Sequence, residues 1–214
     1  MGIDRFGAPQ DTIGFLQQAL GLDTFVEGGT FTGASARAAA ATFARVHTVE
    51  KSPALLTVAR RNLAGLDNVT KHEGDTRDHL PALAGRGRVL YWLDAHWSGG
   101  ATYGQGDECP LLEELRLIFG AGGDCAILVD DARLFLSPPP RPHDPAEWPT
   151  LREVAATLPA GWELFVREDV IHLVPPAVVT AFRAYLQELA TADAARDAAP
   201  SWRRRLARRL ARTR

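Results

Sequence analysis

The chain is poor in cysteine and has no long apolar run. Cys109 and Cys125 are the two cysteines in 214 residues, too few for a disulfide framework and without the paired spacing of a structural zinc module. A reducing, cytoplasmic setting is the expectation. No stretch approaches the roughly 18 apolar residues that a membrane-crossing helix needs, and Met1–Gln10 lacks the basic-then-apolar order of a signal peptide. A large excess of one charge is missing too, since the formal net charge is -2, and no nucleic-acid partner is expected.

What is present is 46% hydrophobic and 23% charged residues, enough for one domain with a sizeable core. The charge is unevenly spread. Ser201–Arg214 holds seven arginines and no acid, which leaves 17 basic against 26 acidic residues elsewhere and a body near -9. Within that tail Trp202, Leu206 and Leu210 recur every four residues, giving a basic helix with a narrow apolar stripe. Peripheral contact with an anionic membrane is one reading of it. A solvated tail, or a contact with the acidic body of a second copy in a homodimer, is the other.

Apolar and β-branched runs alternate with helical stretches, the pattern of an α/β fold whose parallel sheet is covered on both faces. Strands are expected at Thr24–Glu27, Val46–Glu50, Val69–His72, Val89–Asp94, Ala126–Asp130, Glu163–Arg167 and Val170–Val174, the last two as an antiparallel pair. Helices are expected over Gly33–Phe43, Ser52–Leu63 and Pro110–Phe119. Ser98–Cys109 and the proline-rich Ser137–Trp148 read as long loops. The class is therefore a Rossmann-like doubly wound, mostly parallel sheet of about seven strands.

In such a sheet ligands bind beyond the carboxyl ends of the strands, near the reversal of strand order. Those ends are Glu27-Gly28-Gly29, Glu50, Gly74-Asp75, Asp94 with His96, and Asp130-Asp131. The turn Glu27-Gly28-Gly29-Thr30-Phe31-Thr32-Gly33 suits a nucleotide-like cofactor, with glycines for backbone approach and a helix N-terminus for amide donors. A dinucleotide fingerprint aligned on Gly28 and Gly33 would find Thr30 where the middle glycine belongs, which weakens an NAD reading. Glu50 stands where a carboxylate can accept from both ribose hydroxyls, of NAD and S-adenosylmethionine alike. A glutamate there can also do no more than favour the dipole of the following helix.

Val26–Gly33 followed by Thr48-Val49-Glu50 resembles class I S-adenosylmethionine-dependent methyltransferases. The likeness runs from about Thr24 to Val174, through Glu73-Gly74-Asp75, Trp92–Gly100 and Leu128–Phe135. It implies that residues 24–190 form the methyltransferase domain, between an N-terminal helical segment over 1–23 and an Arg-rich tail over 191–214. It further implies that Glu27 and Gly29 line the methionine end of the cofactor, that Glu50 holds the ribose, and that Asp75 lies near the adenine. Gly28, Thr30, Gly33 and Asp94 complete the cofactor-binding set.

Asp94, Asp130 and Asp131 end neighbouring strands, and three carboxylates at one edge are costly unless neutralised. Mg²⁺ or Mn²⁺ fits such oxygen ligands, and the pattern is similar to metal-dependent O-methyltransferases of catechols and natural-product sugars. Without a metal, Asp130 or Asp131 would cap the next turn and Asp94 would touch the cofactor amine. His96 is the candidate general base, placed by its loop to reach an acceptor hydroxyl, with Asp94 as its catalytic neighbour. Trp97 and Tyr103 are candidate walls for the acceptor. Asp107 and Glu108 are left outside the ligand set, and His143 and Asp144 are equally readable as bystanders. The leading expectation is O-methylation of a small hydroxylated acceptor. An NAD-type oxidoreductase and a non-catalytic docking domain are the rivals.

Overall fold

Seven short runs of β-branched and apolar residues pair into one sheet in the computed structural model, which describes residues 7–97 and 106–198. In chain order the elements are α1 (Gln10–Leu20), β1 (Thr24–Gly28), α2 (Ala34–Ala40), β2 (Arg45–Glu50), α3 (Pro53–Asn62), β3 (Val69–Glu73), α4 (Thr76–Leu83), β4 (Val89–Leu93), α5 (Leu111–Ala121), β5 (Cys125–Val129), α6 (Arg133–Leu136), a 3-10 turn (Pro145–Glu147), α7 (Leu151–Ala156), β6 (Glu163–Arg167), β7 (Val170–Val174) and α8 (Val179–Ala198). The sheet order is β3-β2-β1-β4-β5-β7-β6. β1 to β5 are parallel, and β7 runs antiparallel to both β5 and β6. This is the Rossmann-like sheet expected from the sequence, with its order reversing between β1 and β4.

β4 (Val-Leu-Tyr-Trp-Leu) and β5 (Cys-Ala-Ile-Leu-Val) are buried along their whole length, as unbroken apolar runs must be in a sheet covered on both faces. Tyr91, Leu93, Ile127 and Val129 pack with Leu111, Leu115 and Ile118 of α5. Helix starts follow their capping chemistry: the Ser52 hydroxyl accepts from the Leu55 amide ahead of Pro53, and Asp75 accepts from the Arg77 amide. α4 has no counterpart among the expected helices, because Pro81 interrupts its pattern. The loop expected at Ser137–Trp148 contains the 3-10 turn, and Thr150 opens α7 with a capping box to Glu153. Glu168 and Asp169, both at positive φ, make the type I′ turn that joins β6 to β7.

The chain divides into two compact units at Pro176/Ala177. In the second, α8 runs unbroken across the 190/191 boundary drawn from sequence. The Arg-rich Ser201–Arg214 with its stripe of Trp202, Leu206 and Leu210 lies outside the described residues, as do Ser98, Gly99, Gly100, Tyr103 and Gly104. Among the described residues no helix is long and apolar enough to cross a membrane.

The carboxyl ends of the strands are tied into one rim. The Asp94 amide donates to Gly28 O, the Asp130 amide to Leu93 O, and the Gly74 amide to Glu50 O. Gly29 sits at φ 88, and a Cβ there would stand 2.1 Å from the Asp94 carbonyl oxygen. Gly29→Ala should therefore destabilise the protein by more than the roughly 1–3 kcal/mol of a forced left-handed residue, measured as a lowered midpoint in urea unfolding; an unchanged midpoint would contradict the close approach.

Candidate functional site

A cavity of about 520 Å³ opens over the rim at the β1/β4 reversal, lined by Gly29, Thr30, Phe31, Glu50, Lys51, Asp75, Arg77, Asp94, His96, Asp107, Asp130, Asp131 and Arg133 among others. Apart from Asp107, which precedes α5, they come from the ends of β1 to β5, so the parallel register brings them together. Glu50, at the end of β2, is 7% exposed. One of its carboxylate oxygens accepts from the Phe31 amide and the other from the Ser52 amide, both at 2.8 Å. These bonds aim the carboxylate into the cavity while leaving further lone pairs on each oxygen. Phe31 takes a positive φ of 48 and is 57% exposed.

Several residues of the expected cofactor set lie beneath the cavity wall. Glu27, Gly28 and Gly33 are not among its lining residues. Glu27 is 1% exposed and accepts from the Thr48 hydroxyl at 2.5 Å, and that hydroxyl shares a second 2.5 Å bond with Thr30. Burial, reinforced by the charges of Asp94 and Glu50, pushes the Glu27 carboxyl up to about 8. Gly33 meets Leu63, with a Cβ only 3.0 Å from its side chain, so this glycine serves packing, whereas Gly29 both meets the Asp94 backbone and lines the cavity.

Asp75 does line the cavity, but its carboxylate is heavily engaged. Oδ1 accepts from the Arg77 amide and Nε, and Oδ2 from Arg77 Nη2 and Lys51 Nζ. The hydrogen bonds from Arg77, ahead of that from Lys51, hold the acid well below the usual carboxylate range. Arg77 also pairs with Asp107 and Glu113. With four donors already on two oxygens, Asp75 has little acceptor capacity left for a ligand amine.

The opposite wall carries the acidic cluster. His96 Nε2 lies 2.7 Å from Asp131 Oδ2 and 3.7 Å from Asp94 Oδ1, and ligand atoms of these three residues all fall within 4.8 Å of one another. Asp130 stands on the same wall, where its carboxylate accepts from the Asp131 amide at 2.8 Å. The tight three-residue group is thus Asp94, His96 and Asp131, with Asp130 beside it. Burial raises Asp94, and the neighbouring Asp130 and Asp131 raise it further against the pull of His96. Asp131 drops to about 2 because the bonds from His96 and Arg133 outweigh its burial. His96 is raised, the Asp131 bond and the surrounding carboxylates overcoming desolvation. This donor set fits a hard divalent cation, which would relieve the unbalanced charge around Asp94.

Solved structures share this arrangement of strands. A candidate O-methyltransferase from Klebsiella pneumoniae matches at TM-score 0.57 and 19% identity, over 80% of this chain and 82% of its own. A Staphylococcus aureus protein put forward as a caffeoyl-CoA O-methyltransferase matches at TM-score 0.58 and 14% identity, over 81% and 84%. The O-methyltransferase from Bacillus cereus, solved with S-adenosylhomocysteine, matches at TM-score 0.54 and 18% identity, over 78% and 82%. The chain has the fold of the class I methyltransferases. No protein-family model and no curated protein matches its sequence.

Within this methyltransferase fold two buried carboxyls escape a reading of the sequence as a string of motifs. Glu114 of α5 is 2% exposed, one of its oxygens has no partner among the described residues, and burial pushes it up to about 7. Its place on the stripe of Leu111, Leu115 and Ile118 was the available signal. Glu108 is 4% exposed and bonded to His143 and Trp148, which no local signal foretells. His47 and His72 share a bond at 3.2 Å away from the cavity.

The His96–Asp131 pair sets a test by titration. Because its folded pKa is raised, protonated His96 contributes stability below its unfolded pKa that is lost as pH rises through the folded value. In Asp131→Asn the imidazole should titrate at lower pH than in the parent, followed by ring ¹⁵N or ¹H shifts; an unmoved titration would show that Asp131 does not hold the charge.

Proposed function

We propose that the protein is an S-adenosylmethionine-dependent methyltransferase that methylates a hydroxyl of a small acceptor, a sugar or natural product, with Mg²⁺ or Mn²⁺ as a second cofactor. The observation that carries this is the single cavity at the β1/β4 reversal, with a preset carboxylate on one side and Asp94, His96, Asp130 and Asp131 on the other. Glu50, fixed by the Phe31 and Ser52 amides, is suited to accept from both ribose hydroxyls. The acidic wall suits the sulfonium end, whose positive charge it attracts.

In the transfer the acceptor oxygen forms a bond to the methyl carbon as the carbon–sulfur bond breaks, and the hydroxyl proton must leave. His96 is the group assigned to take it, oriented by Asp131. A divalent cation held by Asp94, Asp130 and Asp131 would lower the hydroxyl pKa and offset the carboxylates that oppose an oxyanion. His96 works as a base only in its neutral form, so turnover should rise with pH through its titration.

Two measurements test the assignment. Glu50→Gln should weaken S-adenosylhomocysteine by about thirtyfold, near 2 kcal/mol, for a lost charge-assisted pair of hydrogen bonds; unchanged affinity by calorimetry removes Glu50 from the site. Exhaustive EDTA treatment should abolish turnover and leave S-adenosylhomocysteine bound, Asp130→Asn should mimic it, and His96→Ala should lower turnover by about 10² to 10⁴. Full activity in EDTA would eliminate the cation, and full activity of His96→Ala would eliminate the base.

A further inference from the structure

Glu108 lies outside the cavity lining, yet it ties together the turn after β4, the entry to α5 and the proline-rich segment after β5. Its Oε2 accepts from the Trp148 indole N–H at 2.7 Å and from His143 Nδ1 at 2.9 Å, and its Oε1 accepts from the Asp144 amide at 3.2 Å. Its backbone is used as well: the amide donates to Glu147 at 2.9 Å, and the carbonyl accepts from the Trp97 amide at 2.8 Å. One residue at the entry to α5 therefore pins the turn after β4 to the proline-rich segment after β5. A buried carboxylate is costly without such partners; here the bonds from Trp148, Asp144 and His143 outweigh its desolvation and hold it below the usual carboxylate range.

The residue it pins most firmly touches the site. Trp148, 6% exposed, packs edge-on against His96 with ring centroids 5.3 Å apart at 64°, and against Phe135 at 5.5 Å. His96 also meets Phe135 edge-on at 6.5 Å, and His143 braces Trp97 at 5.2 Å. The imidazole is thus held from one side by Asp131 and from another by the indole, whose plane is set by its packing and by its N–H bond. Glu108 supplies that tie.

We infer that Glu108 is a positioning residue: through Trp148 it fixes the His96 ring in the cavity, and through His143, Asp144 and the Trp97 amide it clamps the proline-rich segment to the turn after β4. This rests on the methyltransferase reading for its kinetic consequence but not for its geometric one. In Glu108→Gln one end of the amide faces Trp148 and His143 and the other faces the Asp144 amide, so one side of the clamp must lose its acceptor while the ligand-facing groups stay intact.

Glu108→Gln should lower kcat by about ten- to a hundredfold, the scale of a catalytic group misplaced by an ångström, with the affinity for S-adenosylhomocysteine within about twofold of the parent. The His96 ring protons, shifted by the Trp148 ring current, should move in the NMR spectrum of the variant. A folded Glu108→Gln with unmoved His96 resonances and unchanged kcat would overturn the inference, as would parallel losses of kcat and ligand affinity. If Glu108→Gln does not fold, Glu108→Asp keeps the charge and withdraws it from the indole N–H by one methylene while leaving the Trp148 ring in place: moved His96 resonances support the tie, and unmoved ones refute it. If the parent neither binds S-adenosylhomocysteine nor transfers methyl, the functional reading fails, and the His96 resonances alone decide the positioning role.

Discussion

The approach of the β1 turn to the backbone of β4 is the constraint on which the site depends. With Gly29 against the Asp94 carbonyl and the Asp94 amide on Gly28 O, the first and fourth strands end at one level. Any side chain at position 29 would push the two turns apart by more than an ångström and so separate Glu50, which is tied to the Phe31 amide, from Asp94. The cavity is what remains between two turns that touch at their base. Its shape is set by backbone contact rather than by the side chains that line it.

That geometry creates an electrostatic problem, solved differently for each carboxylate. Glu50 is balanced by two amides, Asp75 by Arg77 and Lys51, and Asp131 by His96 and Arg133. Glu27, with only a hydroxyl to lean on, is raised to about 8. Asp94 is the acid whose neighbours add negative charge faster than they remove it. An imbalance concentrated at one point of a concave wall is the arrangement expected where an incoming cation completes the charge.

The strands were legible because β4 and β5 are continuous apolar runs that stop at an aspartate, so that burial of both faces is written into their composition, and because β1 runs into a glycine turn. α4 was not, since Pro81 breaks its spacing, and α6 and α7 are too short to show a period. For the site, the strand-end rule located Glu50, Asp94, His96, Asp130 and Asp131 on one cavity. It could not show that Gly29 also meets a neighbouring backbone or that Gly33 makes room for the Leu63 side chain. Glu108 was opaque for a different reason: a glutamate beside an aspartate in a glycine-rich loop reads as solvated, and its partners lie 35 to 40 residues further along.

The antiparallel insertion of β7 has a consequence for the order in which the site is made. Because β7 runs against β5, it starts where β5 ends, so the β6–β7 turn lies on the rim: Asp169 O accepts from the Ala132 amide, and the Asp169 carboxylate accepts from the Arg133 amide. A parallel strand in that place would have begun at the opposite edge of the sheet and brought its last residue, not the β6–β7 turn, to this rim. The segment that carries Asp131 and Arg133 is therefore braced by residues 36 positions later, and during synthesis the acidic wall waits for the hairpin. A ribosome that has delivered all of the cluster has not yet delivered its last support.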